Sequence, residues 1–137
     1  METPPAGWLK LNVDGATRQS DGMCGVGGLL RDHNGNPVGT FSERRSPAPP
    51  LIVEVWAIER GLRLCLSDGW FRKARVMVES DCKKAVDLIL KEAIIPVHLS
   101  GLVRGIREIV SRYGCMLKWI PRSCNTSADS LAKRGIG

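Results

Sequence analysis

Four acidic residues fall where strands would end or helices would begin: Asp14, Glu54, Asp81 and Asp129. Asp14 closes an alternating apolar run, and Asp81 follows a β-branched one. Glu54 precedes the apolar Val55-Trp56-Ala57-Ile58, and Asp129 sits in the first turn of a last helical segment. Strand ends and helix starts line the crevice in which an α/β sheet binds its ligands. Carboxylates gathered in one crevice repel each other unless cations neutralise them. Four of them around two divalent ions approach charge balance. Such a site suits a phosphodiester, with the ions activating water and stabilising the in-line transition state.

Each carboxylate also has a plainer role open to it. Asp14 before Gly15 fits turn chemistry, and Asp81 fits a helix N-cap. Thr126 and Asp129 have capping-box spacing, and Glu54 could favour a helix start through the macrodipole. Other metal chemistries are poorly supplied. The two histidines, His33 and His98, are too few for an imidazole site. The five cysteines (24, 65, 82, 115 and 124) are odd in number and form no C-x-x-C pair. That pattern argues against a disulfide scaffold and a thiolate zinc site, and it fits core thiols in a reducing intracellular compartment. A bound metal would therefore be a hard cation such as Mg²⁺.

The elements that must position these residues follow from periodicity. Leu9, Leu11 and Val13 alternate with polar neighbours, which predicts a strand from Trp8 ending at Asp14 and Gly15. A second strand spans Cys24 to Arg31, and the Asn34-Gly35 turn leads to a third from Pro37 to about Glu43. After the proline-rich connector 46–50, Val55, Ile58, Leu62 and Cys65 recur at helical spacing, with Glu54 at the helix start. A fourth strand over Arg75–Ser80, a helix opened by Asp81, and a helix over Leu99–Val110 come next. Cys115–Ile120 forms the fifth strand and Asn125–Lys133 the last helix. The expected architecture is α/β: a five-stranded mixed sheet, three antiparallel strands then parallel ones, flanked by helices. Residues 1–7 and 135–137 read as tails around one domain over 8–134.

The length of 137 residues suits one domain, and 43% hydrophobic with 25% charged residues suits a folded soluble one with no membrane partner. Charge is unevenly placed. Residues 1–71 carry 7 basic and 8 acidic side chains, whereas residues 72–137 carry 13 and 6. A cationic face for a polyanion and solvated basic helices both fit that imbalance. Lys83 and Lys84, just after Asp81, and Arg122, near Asp129, are candidate phosphate contacts. Gly25-Val26-Gly27-Gly28 lacks a phosphate-loop ending, so close packing explains it better. Trp56 and Trp119 stand in apolar patterns and read as core.

Four blocks carry a family resemblance: Lys10–Ala16, Val53–Ile58, Val78–Cys82 and Pro121–Lys133. Together they resemble the signature blocks of the ribonuclease H family, more narrowly the reverse-transcriptase-like domains of plant genomes derived from retroelements. The resemblance implies a ribonuclease H-like fold and a metal-dependent endonuclease that cuts the RNA strand of RNA–DNA hybrids. It implies Asp14, Glu54, Asp81 and Asp129 as catalytic ligands of two Mg²⁺ or Mn²⁺ ions. It places Gly15 and Ala16 where backbone approaches RNA, and Asn125 joins the expected nucleic-acid contacts. The chain departs from better-known members in having no histidine in the loop before Asp129 and no extra basic helix between Lys91 and Ser100. The alternative is a domesticated domain that binds nucleic acid or a protein without significant catalysis. A 3′–5′ exonuclease is set aside, because Ala16 stands where a second acid would be needed. A monomer is expected, possible also as part of a larger protein.

Overall fold

The computed structural model describes residues 3–91 and 94–137. Strand β1 (Trp8–Thr17) lies at the centre of a five-stranded sheet. It pairs antiparallel with β2 (Cys24–Arg31), which pairs antiparallel with β3 (Pro37–Arg45). On its other side β1 pairs parallel with β4 (Arg75–Ser80), and β4 pairs parallel with β5 (Met116–Trp119). The spatial order is β3-β2-β1-β4-β5, the mixed sheet that the element order predicts.

Several boundaries differ from the periodicity, for local reasons. Strand β1 does not stop at Asp14 and Gly15, because its ladder with β2 continues to Thr17 opposite Cys24. Helix α1 (Pro50–Ser67) starts four residues before Glu54, with Pro49 as N-cap and Pro50 in its first turn. A proline there gives up only an N–H that would be unpaired anyway. Helix α2 (Lys83–Leu90) begins two residues after Asp81, and α3 (Val97–Tyr113) ends on the left-handed Gly114. Helix α4 (Thr126–Ile136) runs through the expected C-terminal tail, and Ile136 is buried. Of the expected N-terminal tail, residues 1–2 lie outside the described part, while Gly7 accepts a hydrogen bond from Arg75 N–H. Residues 92–93, in the connector before α3, also lie outside it.

Helices α1, α2 and α3 pack on one another, and α1 covers β1 so closely that a Cβ on Gly61 would run into Leu11 and Val13. Helix α4 packs against β2, β1 and β3 on the opposite face. The core comprises Leu11, Val13, Val26, Leu30, Ile58, Leu62, Val76, Val78, Val103 and Ile106, all essentially inaccessible. The glycines of β2 set how closely α4 approaches. A Cβ on Gly25 or Gly27 would collide with the backbone of Ala132, so close packing is their role. Gly27 stands opposite Asp14 in the ladder, so the space it leaves brings α4 down beside that carboxylate.

Candidate metal centre

The strand-to-helix corners converge at the ends of β1 and β4. Asp14 is 3% exposed on β1, Glu54 projects from the second turn of α1, and Asp81 lies between β4 and α2. One carboxylate oxygen from each lies within 4.8 Å of the others. The backbone N–H of Gly15 ties two of them together, donating to Asp14 Oδ1 and to Glu54 Oε1. Glu54 lies beyond the first turn of α1, so a macrodipole role does not explain it.

Electrostatics show how unwelcome three anions are here without a cation. Asp14 is pushed up to about 9, first by burial, then by the charge of Glu54 and the hydrogen bond to it, then by Asp81 and Asp129. Glu54 is pushed up to about 7 by burial, against the opposing pull of the Asp14 hydrogen bond, the Gly15 N–H and Arg122. Burial and mutual repulsion thus raise both carboxyls well above the ordinary carboxylate range. Asp81 Oδ2 is buried and has no hydrogen-bond partner among the described residues. An oxygen-only donor set of this kind fits a hard divalent cation such as Mg²⁺.

Asp129 lies at the rim. It lines one depression with Glu54, Arg122, Gly15 and Ala16, and its carboxylate pairs with Lys133 at 2.9 Å. It does not cap its helix: Asn125 is the N-cap, and among the described residues no side-chain cap hydrogen bond forms there. The capping-box reading of Thr126 and Asp129 therefore fails. Arg122 is exposed in a 3₁₀ turn (Arg122–Cys124) near Glu54, and Lys83 and Lys84 are exposed in the first turn of α2.

Asn125 corrects an expectation. It is 1% exposed and cannot meet nucleic acid. Its Nδ2 donates to Val13 O at 2.9 Å, and its Oδ1 accepts from Asn12 Nδ2 at 3.2 Å. Asn12 also donates to Glu79 Oε1 at 3.0 Å, and Glu79 pairs with Lys10 at 3.7 Å. This buried polar chain anchors the start of α4 to β1 next to Asp14. The alternation of β1 marks only the strand's half of this chain, because Lys10 and Asn12 both stand on one face of a strand whose other face is apolar. Gly15 keeps its place at the rim, but its N–H is spent on carboxylates. Trp119 was expected in the core and is 44% exposed, its Nε1 donating to the Asp81 carbonyl at 3.1 Å. Trp56 is half-buried beneath the Arg45 guanidinium, 5.5 Å from its ring. Of the five thiols, Cys24 and Cys65 are buried and Cys124 is exposed.

Comparison with known proteins agrees with this frame. A sequence model described as "Reverse transcriptase-like" matches residues 12–135. An Arabidopsis thaliana protein named "Putative ribonuclease H protein" is 36% identical over 133 residues, covering 95% of this chain and 21% of that protein. The chain thus spans about a fifth of the length of that curated relative. LC11-RNase H1, isolated from compost by a metagenomic approach, superposes with a TM-score of 0.83 at 22% identity, over 95% of this chain and 96% of its own. The same protein in complex with an RNA/DNA hybrid gives 0.80 at 22% identity, over 93% and 96%. At that identity the likeness shows the fold, and the family match supplies the rest: this chain belongs to the reverse transcriptase-like family of ribonuclease H-like proteins.

Proposed function

We propose that the chain is a metal-dependent endonuclease hydrolysing the RNA strand of RNA–DNA hybrids. The observation that carries this reading is the convergence of Asp14, Glu54 and Asp81, with Asp129 on the same rim. These four would hold two divalent ions, Mg²⁺ or Mn²⁺. Such ions supply Lewis-acid stabilisation of the charge developing on a phosphodiester and of the water that attacks it. The chain's own residues do the placing. Gly15 N–H fixes the Asp14 and Glu54 carboxylates against each other, so both are already placed for a cation they would hold. Arg122 beside Glu54, with Lys83 and Lys84 beyond Asp81, gives the rim cationic groups for phosphates of the substrate. The related LC11-RNase H1 has been seen with such a hybrid, which supports the substrate class.

The test is incubation with a hybrid labelled on its RNA strand, with Mg²⁺, with Mn²⁺ and with chelator. Expected is metal-dependent cleavage of the RNA strand and an untouched DNA duplex of the same sequence, because the 2′-hydroxyl distinguishes RNA at a contact. Hybrid binding without cleavage in either metal would instead assign the domain to nucleic-acid binding.

A further inference from the structure

Resting on that reading of the site, we propose that Trp119 is a positioning residue for Asp81. Its indole N–H would hold the corner where β4 gives way to α2. The three converging carboxylates are not held alike. Asp14 and Glu54 share the Gly15 N–H, whereas Asp81 Oδ2 has no partner among the described residues. The placement of Asp81 therefore depends on its backbone.

That backbone is held from three sides. Ser80 Oγ accepts from Cys82 N–H at 3.1 Å, bridging across Asp81. Ser80 O accepts from Ile120 N–H at 2.9 Å, extending the β4–β5 ladder by one bond. Asp81 O itself accepts from Trp119 Nε1. The first bond is local and the second belongs to the sheet. Only the third reaches Asp81 through a side chain, and that side chain is the last residue of β5. Strand β5 brings no carboxylate to the site, so Trp119 gives it a place there. Trp119 is 44% exposed, yet its indole N–H bonds the Asp81 carbonyl. With its backbone held, Asp81 keeps its unpartnered oxygen within 4.8 Å of the Asp14 and Glu54 carboxylates.

The experiment compares wild type with Trp119→Phe, which keeps the ring and loses the N–H. Trp70→Phe serves as control, because Trp70 lies in the 3₁₀ turn after α1 and its Nε1 has no partner among the described residues. The first readout is the midpoint of Mn²⁺ binding in a calorimetric titration of the folded protein. In Trp119→Phe this midpoint should rise about two- to tenfold, the worth of one net hydrogen bond. The second is hybrid cleavage at subsaturating Mn²⁺, where kcat should fall by a similar factor with KM unchanged and saturating Mn²⁺ should close the gap. Trp70→Phe should shift neither. An unchanged midpoint and kcat in Trp119→Phe would overturn the inference while leaving the metal centre standing, even if the metal-free melting temperature dropped. A wild type that binds no Mn²⁺ would overturn the metal reading itself.

Discussion

Asp14 and Glu54 are costly residues to bury, and their cost depends on pH in a direction that can be worked out. Both have folded-state pKa values raised above their ordinary ones, to about 9 and about 7. Groups raised in this way lend stability below their unfolded pKa values, near 4, and lose it as pH rises through the folded ones. The metal-free protein should therefore melt progressively lower between pH 5 and pH 9, and saturating Mn²⁺ should flatten that slope. Asp14→Asn removes a charge and little volume. It should melt higher than wild type at pH 8 without metal, and lose most of the Mn²⁺-dependent rise. A mutant that still responds fully to Mn²⁺ would remove Asp14 from the ligand set. Asp129 calls for a separate measurement, because its carboxylate pairs with Lys133. Asp129→Asn should cut hybrid cleavage by roughly a hundredfold or more, the loss of a few kcal/mol of charge stabilisation. Urea unfolding should change by less than about 1 kcal/mol, since only a surface ion pair is lost. Normal cleavage with lower stability would reverse the assignment. At this scale the four carboxylates were legible in their spacing, whereas the burial of Asn125 was not. An asparagine before a helix looks the same in sequence whether it faces solvent or bonds a neighbouring strand.

The elements show why spacing located the carboxylates better than it located the element ends. Helix and strand periods register which side chains face the core, and ends are decided by hydrogen bonds made elsewhere. Strand β1 runs past Asp14 because β2 pairs with it to Thr17, and α4 runs past Gly135 because that glycine lies against the Glu43 backbone. The Gly25–Gly28 stretch was legible as packing, and the contact with Ala132 gives the reason. Gly27→Ala should cost about 3 kcal/mol or more in urea unfolding, because the helix backbone cannot yield as a flexible side chain would. It should also lower cleavage more than Gly69→Ala, which meets open space and carries only the strain of a positive φ. Equal effects on cleavage would mean that the seating of α4 does not matter to the site.

For the whole molecule, the sequence shows an excess of basic over acidic residues in the second half without showing where the charge goes. The fold sends part of it to the carboxylate rim: Arg122 stands near Glu54, and Lys83 and Lys84 open the helix after Asp81. Other cations are spent within the protein. Arg107 bonds the carbonyls of Leu88, Ile89 and Lys91 at the end of α2, and Arg44 bonds Ile136 O. Net charge alone could not have made that division, because a guanidinium closing a helix end and one awaiting a phosphate are the same residue in sequence. The distinction is measurable through salt. Each phosphate neutralised by a protein cation releases counterions, so log affinity falls linearly with log salt by about one unit per contact. Hybrid affinity in the absence of divalent metal should fall with rising KCl, and Arg122→Ala should make that slope shallower by about 1. Arg63 lies nine residues along α1 from Glu54 and pairs with Glu59, so Arg63→Ala should leave the slope as in wild type. An unchanged slope in Arg122→Ala would leave its charge acting on Glu54 alone, and the phosphate contacts would then fall to Lys83 and Lys84, each open to the same measurement.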